Sequence, residues 1–141
     1  MRRIHDAAVL QAIGAMEDEL VQTARGLASR LAGEFERAEE KRLSNKDHKE
    51  RQLRNIQAVA EESPSWAPVE LFVRYQAARK EIYTPWAEEA IAVLGGLREK
   101  ARAIAGDRGD QFANDVHMEL VSRVLGYTVR WHVWDAKGRM S

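Results

Sequence analysis

The chain has 141 residues, 45% of them apolar and 31% charged, a composition that folds around a modest core and is not disordered. Its 22 basic and 22 acidic side chains cancel. This excludes a uniformly basic nucleic-acid binder and leaves any anion binding to local charge segregation. Cysteine is absent, which excludes disulfides, thiol catalysis and cysteine-based zinc sites.

Strict alternation of apolar and polar residues is nearly absent, and no Asn-Gly or Asp-Gly hairpin signal occurs. The expectation is an all-α fold: residues 1–141 as a single domain, a bundle of about five helices with a long N-terminal one. The opening "MRRIHDAAVLQAIGAMEDEL" has periodic apolar residues soon broken by acids. It reads as neither a signal peptide nor a membrane span, so the expected compartment is the cytoplasm.

The first helix is expected from about Asp6 to about Arg42. Ile13, Met16, Leu20, Ala24, Leu27, Leu31 and Phe35 recur at spacings of three and four, along one stripe. Such a helix would reach roughly 50 Å, long enough to protrude or to pair with another chain. Gly26 and Gly33 are the positions where it could break.

The second helix, "SNKDHKERQLRNIQAVAEES", starts at a capping-box-like Ser44 and Asp47. Its apolar stripe is thin (Leu53, Ile56, Val59, Ala60), so it reads as peripheral. "SPSWAP" is a connector, and Pro68 fits the first turn of a third helix with Val69, Leu71, Phe72, Tyr75 and Ile82 facing inward. Thr84 and Pro85 suit the cap and first position of a fourth helix carrying Ala87 to Ile104, where Gly95-Gly96 marks a kink or a close helix approach. "AGDRGD" ends it, and Asp110 can cap the last helix. There Phe112, Val116, Leu120, Val124, Tyr127, Trp131 and Trp134 again keep helical spacing. The aromatic segment "GYTVRWHVWD" therefore reads as helix with its rings mostly packed, and a lone strand would have no partner.

Catalytic signals are weak. His117 and Glu119 lie two apart and point to different helix faces, while Asp110, Asn114 and His117 would make an incomplete metal site. Exposed helix positions account for them. No glycine-rich phosphate loop and no nucleophile beside an obvious base is visible. The reading is a protein that is not an enzyme, with no cofactor and no metal.

Charge segregation says more. "KRLSNKDHKERQLR" holds Lys41, Arg42, Lys46, Lys49, Arg51 and Arg54 against two acids, and "RYQAARK" adds Arg74, Arg79 and Lys80. Arg98, Lys100 and Arg102 follow, and Arg123, Arg130, Lys137 and Arg139 lie near the end. Gln52, Asn55, Tyr75 and Gln76 are interleaved with the first two groups. Arginine with amides suits phosphate and sugar contacts, and exposed aromatics can stack on bases. Candidate nucleic-acid-binding residues are Lys49, Arg51, Arg54, Arg74, Arg79 and Lys80. Intrahelical pairs such as Glu50–Arg54 are the ordinary alternative use of these charges.

The stretch from Lys49 to Leu94 resembles the small helical subunit of type III (Csm-like) CRISPR effector complexes. The elements are Gln52-Leu53-Arg54 early in one helix, then Val73 to Tyr75 with Arg79 in a later one, then an amphipathic helix over 85–105. The resemblance implies a non-catalytic subunit of an RNA-guided ribonucleoprotein. It would stack with other subunits and contact the guide–target RNA backbone through Arg54, Arg74, Arg79 and Lys80. The competing expectation is a helical protein–protein module without nucleic acid, self-associating through Ile13, Met16, Leu20, Leu27 and Leu31.

Overall fold

The structure is a computed structural model that describes residues 4–37 and 49–136. Those residues are all-α, in seven helical segments: α1 (Ala7–Ala15), α2 (Glu17–Arg37), α3 (Glu50–Glu62), α4 (Trp66–Ala78), α5 (Thr84–Gly96), α6 (Arg98–Ala105) and α7 (Asp110–Ala136). Among the described residues no strand occurs, and no helix is long and apolar enough to cross a membrane.

The expected long first helix is two. Asp6 caps α1, its Oδ1 accepting from the Val9 amide at 3.0 Å. Its carboxyl is held below the ordinary range by that bond and by Arg108, 2.6 Å away. The break comes at Met16, which ends α1 and leads directly into α2. Glu17, Asp18 and Glu19 fill the first turn of α2, where negative charge complements the helix dipole. That acidic triplet is the start signal; Gly26 and Gly33 both stay inside α2. The stripe expected to pair with another chain is used within this one, since Ile13, Leu20, Leu27 and Leu31 are buried in its own core.

The expected Ser44 start lies outside the described residues, and α3 begins at Glu50 after Lys49 in the left-handed region (φ 74°). Leu53, Ile56 and Ala60 form its buried side. In α4, Pro68 sits in the first turn, and Val69 and Val73 point inward. Leu71 and Tyr75 do not; they are 69% and 51% exposed. One turn on from Val69, the inward stripe passes through Phe72 and Val73, which turns Leu71 and Tyr75 to the outside. Tyr83, one residue before the expected Thr84, caps α5, and Pro85 occupies its first turn.

The Gly95-Gly96 pair does coincide with a break, and α6 begins after Leu97. A Cβ on Gly95 would lie 3.1 Å from the Trp66 indole nitrogen. The glycine thus lets α4 and α5 approach. Gly106 and Gly109 (φ 63° and 97°) make the turn into α7. Asp110 is the first residue of α7, not its cap; the Gly109 carbonyl accepts from the Ala113 amide at 3.1 Å.

The last helix, α7, is the axis of the bundle. It packs along α2, α3 and α6 and touches α4. At about 1.5 Å per residue its 27 residues span about 40 Å. It buries residues on several faces, Val116, Met118, Leu120, Val121 and Leu125 among them, as a helix surrounded by others must. Indole donors tie α5 and α7 to α2: Trp86 Nε1 to the Leu27 carbonyl at 2.9 Å, and Trp131 Nε1 to the Val21 carbonyl at 3.0 Å. His117, expected on an exposed position, is 1% exposed and packs beside Trp66 with ring centroids 5.8 Å apart. Because α7 is enclosed, a position that would be outward on a surface helix is interior here.

Candidate nucleic-acid interface

The six candidate cations come from two packed helices and their ends: Lys49 caps α3, Arg51 and Arg54 lie on α3, Arg74 lies on α4, and Arg79 and Lys80 follow it. Arg51, Arg54, Arg74, Arg79 and Lys80 are exposed. Lys49 is not. It is buried, with its ammonium 5.3 Å from the centre of the Tyr83 ring. Its side chain is thus set back from the five exposed cations.

Arg54 Nε donates to Glu50 at 2.9 Å. Arg74 grips Glu70, with Nε and Nη2 at 3.1 and 3.0 Å from the same oxygen. Both arginine side chains remain 57% exposed. Pairs of this kind contribute only about 0.2–1 kcal/mol, so a phosphate can displace either carboxylate at small cost. Arg79 Nη1 donates to the Tyr75 hydroxyl at 2.9 Å, and its guanidinium lies 5.4 Å from the centre of that ring. The same bond raises the Arg79 pKa above its ordinary value. Lys80 adopts φ 63° and closes α4, its amide donating to the Ala77 carbonyl at 3.0 Å.

Helical spacing puts Leu71, Arg74, Tyr75, Ala78 and Arg79 on one outward stripe of α4, and all five are exposed. The stripe combines two guanidinium groups with a ring and an aliphatic side chain. This is the surface chemistry that holds phosphates while a flat base or ribose lies alongside.

A second region escaped the sequence reading. A groove runs between α3 and α7, passing over Gly126, in two adjoining parts of about 360 Å³ each. One part is lined by Arg54, Gln57, Gly126, Val129, Arg130 and Val133. The other includes Glu61, Glu119, Ser122, Arg123 and Tyr127. A Cβ on Gly126 would lie 3.3 Å from Gln57 Nε2, so the glycine keeps the groove floor open to that amide.

Arg123 is committed to structure. It donates to Glu119 at 2.8 Å and to Glu17 at 2.6 Å. Desolvation opposes its charge, but those two carboxylates outweigh it and raise its pKa. Tyr127 donates its hydroxyl to Glu17 as well, which, with partial burial, raises the Tyr127 pKa. Arg130 differs. It is exposed, it has no ion pair among the described residues, and its guanidinium lies 5.4 Å from the centre of the Tyr127 ring. The sequence marks Arg130 only as one charge of a basic C-terminal region. Its placement opposite Arg54 depends on α3 lying against α7.

Among the described residues no group of three or more histidines and carboxylates could hold a metal ion. Compared with known proteins, the chain matches no family model, no curated protein and no solved structure.

Proposed function

We propose that the chain is a non-catalytic helical subunit that binds the RNA backbone. The assembly would be the one the Lys49–Leu94 resemblance implies, a CRISPR effector ribonucleoprotein with other subunits stacked beside it. The observation that carries the RNA reading is the outward stripe of α4, where Arg74 and Arg79 flank the exposed Tyr75. Arg51 and Arg54 on the neighbouring α3 extend the cationic surface. The mechanism is phosphate neutralisation without base reading, so affinity falls steeply with salt. The effector context rests on the sequence resemblance alone.

The test is RNA retention by the purified protein across about 50 to 200 mM salt, with Arg54→Ala and Arg79→Ala beside the parent. Both variants are expected to lose RNA while keeping the helical circular-dichroism spectrum. If both hold RNA like the parent at moderate salt, this surface is not the site. For the context, a tagged chain purified from its own cells should bring a large assembly with small RNAs of discrete length. A single protein partner without RNA would support the rival reading, a protein–protein module. The exposed Leu71 beside Tyr75 favours that rival, since the α1–α2 stripe is occupied internally.

A further inference from the structure

At the C-terminal end of α7 lies a cleft of about 320 Å³, lined by Val21, Tyr127, Arg130, Trp131 and Trp134. Four of its five lining residues are apolar or aromatic, and the fifth is Arg130, which makes no ion pair among the described residues. Trp134 is 52% exposed, a large ring left at the surface. Trp131 is the opposite, a fixed wall: its Nε1 donates to the Val21 carbonyl at 3.0 Å, and Arg25 lies 4.7 Å from its ring centre. Asp135 neutralises that Arg25 at 2.9 Å. A ligand entering the cleft therefore meets one wall, Trp131, already held in place, which lowers the ordering cost of binding.

Arg130 also lines both parts of the α3–α7 groove, one of which contains Arg54. The ligand that fits this sequence of surfaces has a flat ring for the aromatic cleft, an anion for Arg130, and a further anion toward Arg54. A single-stranded polynucleotide repeats that pairing of ring and charge. We propose that this cleft takes an unpaired nucleobase against Trp134, with the adjoining phosphate on Arg130. The proposal rests on the RNA reading and deepens it: the α4 stripe would hold backbone, and the cleft would select strands with a base free to enter.

The experiment uses the full chain, with tryptophan fluorescence and a mobility-shift assay read in parallel. The probes are a uridine decamer, an RNA duplex of the same length, and an acidic peptide containing one aromatic residue. Trp134→Ala and Arg130→Ala are compared with Arg74→Ala, after circular dichroism has confirmed the fold of each. The expected result is quenching by the decamer, with its affinity weakened about tenfold or more in Trp134→Ala. Arg130→Ala should weaken it as well, and duplex binding should be unchanged in Trp134→Ala. If RNA binds and depends on Arg74, while Trp134→Ala and Arg130→Ala bind the decamer like the parent, the cleft proposal is overturned and the RNA reading stands. If the parent binds neither RNA at low salt, both fall. Binding of the peptide alone, lost in Trp134→Ala, would make the cleft a protein-docking site and overturn the nucleobase proposal.

Discussion

One nitrogen of Arg25 on α2 reaches both carboxylate oxygens of Asp135 in the last turn of α7, at 2.9 and 3.0 Å, while the same guanidinium covers Trp131. The pair joins residues 110 positions apart and fastens the end of α7 to the bundle. It is partly buried, so the ion pair and the cation–π contact together stabilise by about 1–2 kcal/mol. Arg25→Ala is expected to lower stability by that amount in urea unfolding. It should also open the end of α7 to mild proteolysis, with new cleavage near Trp131 and Trp134 read by mass spectrometry.

Two helical glycines should respond in opposite directions to alanine. Gly26 is exposed inside α2 with open space where a Cβ would stand. Gly26→Ala should therefore stabilise by about 0.5–1 kcal/mol through helix propensity. At Gly95 the new methyl meets the Trp66 indole at 3.1 Å. The Trp66 ring must then shift from its place beside His117. Gly95→Ala should lose the propensity gain and lower the melting temperature, so thermal unfolding of the two variants separates the effects.

The acid response should carry the mark of His117. Its Nε2 bonds the Leu94 carbonyl at 2.9 Å, which requires the proton on that nitrogen, and Nδ1 is buried without a hydrogen-bond partner. Burial lowers its pKa below the ordinary 6.5, and the nearby Arg98 works in the same direction. As pH falls through 6.5 the unfolded chain takes up the proton first. The contribution of His117 is thus fully present above that value and is lost as pH falls toward the depressed folded-state pKa, at no more than about 1.4 kcal/mol per pH unit. Between pH ~7.5 and ~5.5, His117→Gln, which keeps a donor for Leu94, should lose less stability than the parent in denaturant titrations.

Removing the acids that neutralise the basic surface should help an anionic ligand. Glu50→Gln and Glu70→Gln release Arg54 and Arg74 from partners at 2.9 and 3.0 Å. Each exposed pair holds about 0.2–1 kcal/mol, so RNA affinity should rise by up to about fivefold per substitution at low salt. The gain should shrink as salt is added. Unchanged affinity in the double variant would place the RNA elsewhere than on α3 and α4.

The sequence by itself determined the fold class and the approximate course of the helices. Apolar spacing of three and four continues through Val116, Leu120, Val124, Tyr127 and Trp131, and that period belongs to a helix whatever packs around it. The Gly95-Gly96 pair was legible as a kink or a close helix approach within one helix to Ile104, whereas the chain divides there into α5 and α6. Even the interruption at Met16 had a local sign, the acidic run Glu17 to Glu19, whose meaning depends on a helix starting there.

The tertiary structure decided which side chains face solvent. Leu71 and His117 sit in similar helical patterns, yet one is exposed and the other enclosed, because α4 is covered on one side while α7 is surrounded. The fate of the cations was decided in the same way. Lys49 is drawn under Tyr83, Arg123 is consumed by Glu17 from α2, and Arg130 faces a groove whose other wall, Arg54, lies far away in sequence. Periodicity is set by the geometry of one helix. Burial and charge pairing depend on which helices meet, and that is settled by long-range packing.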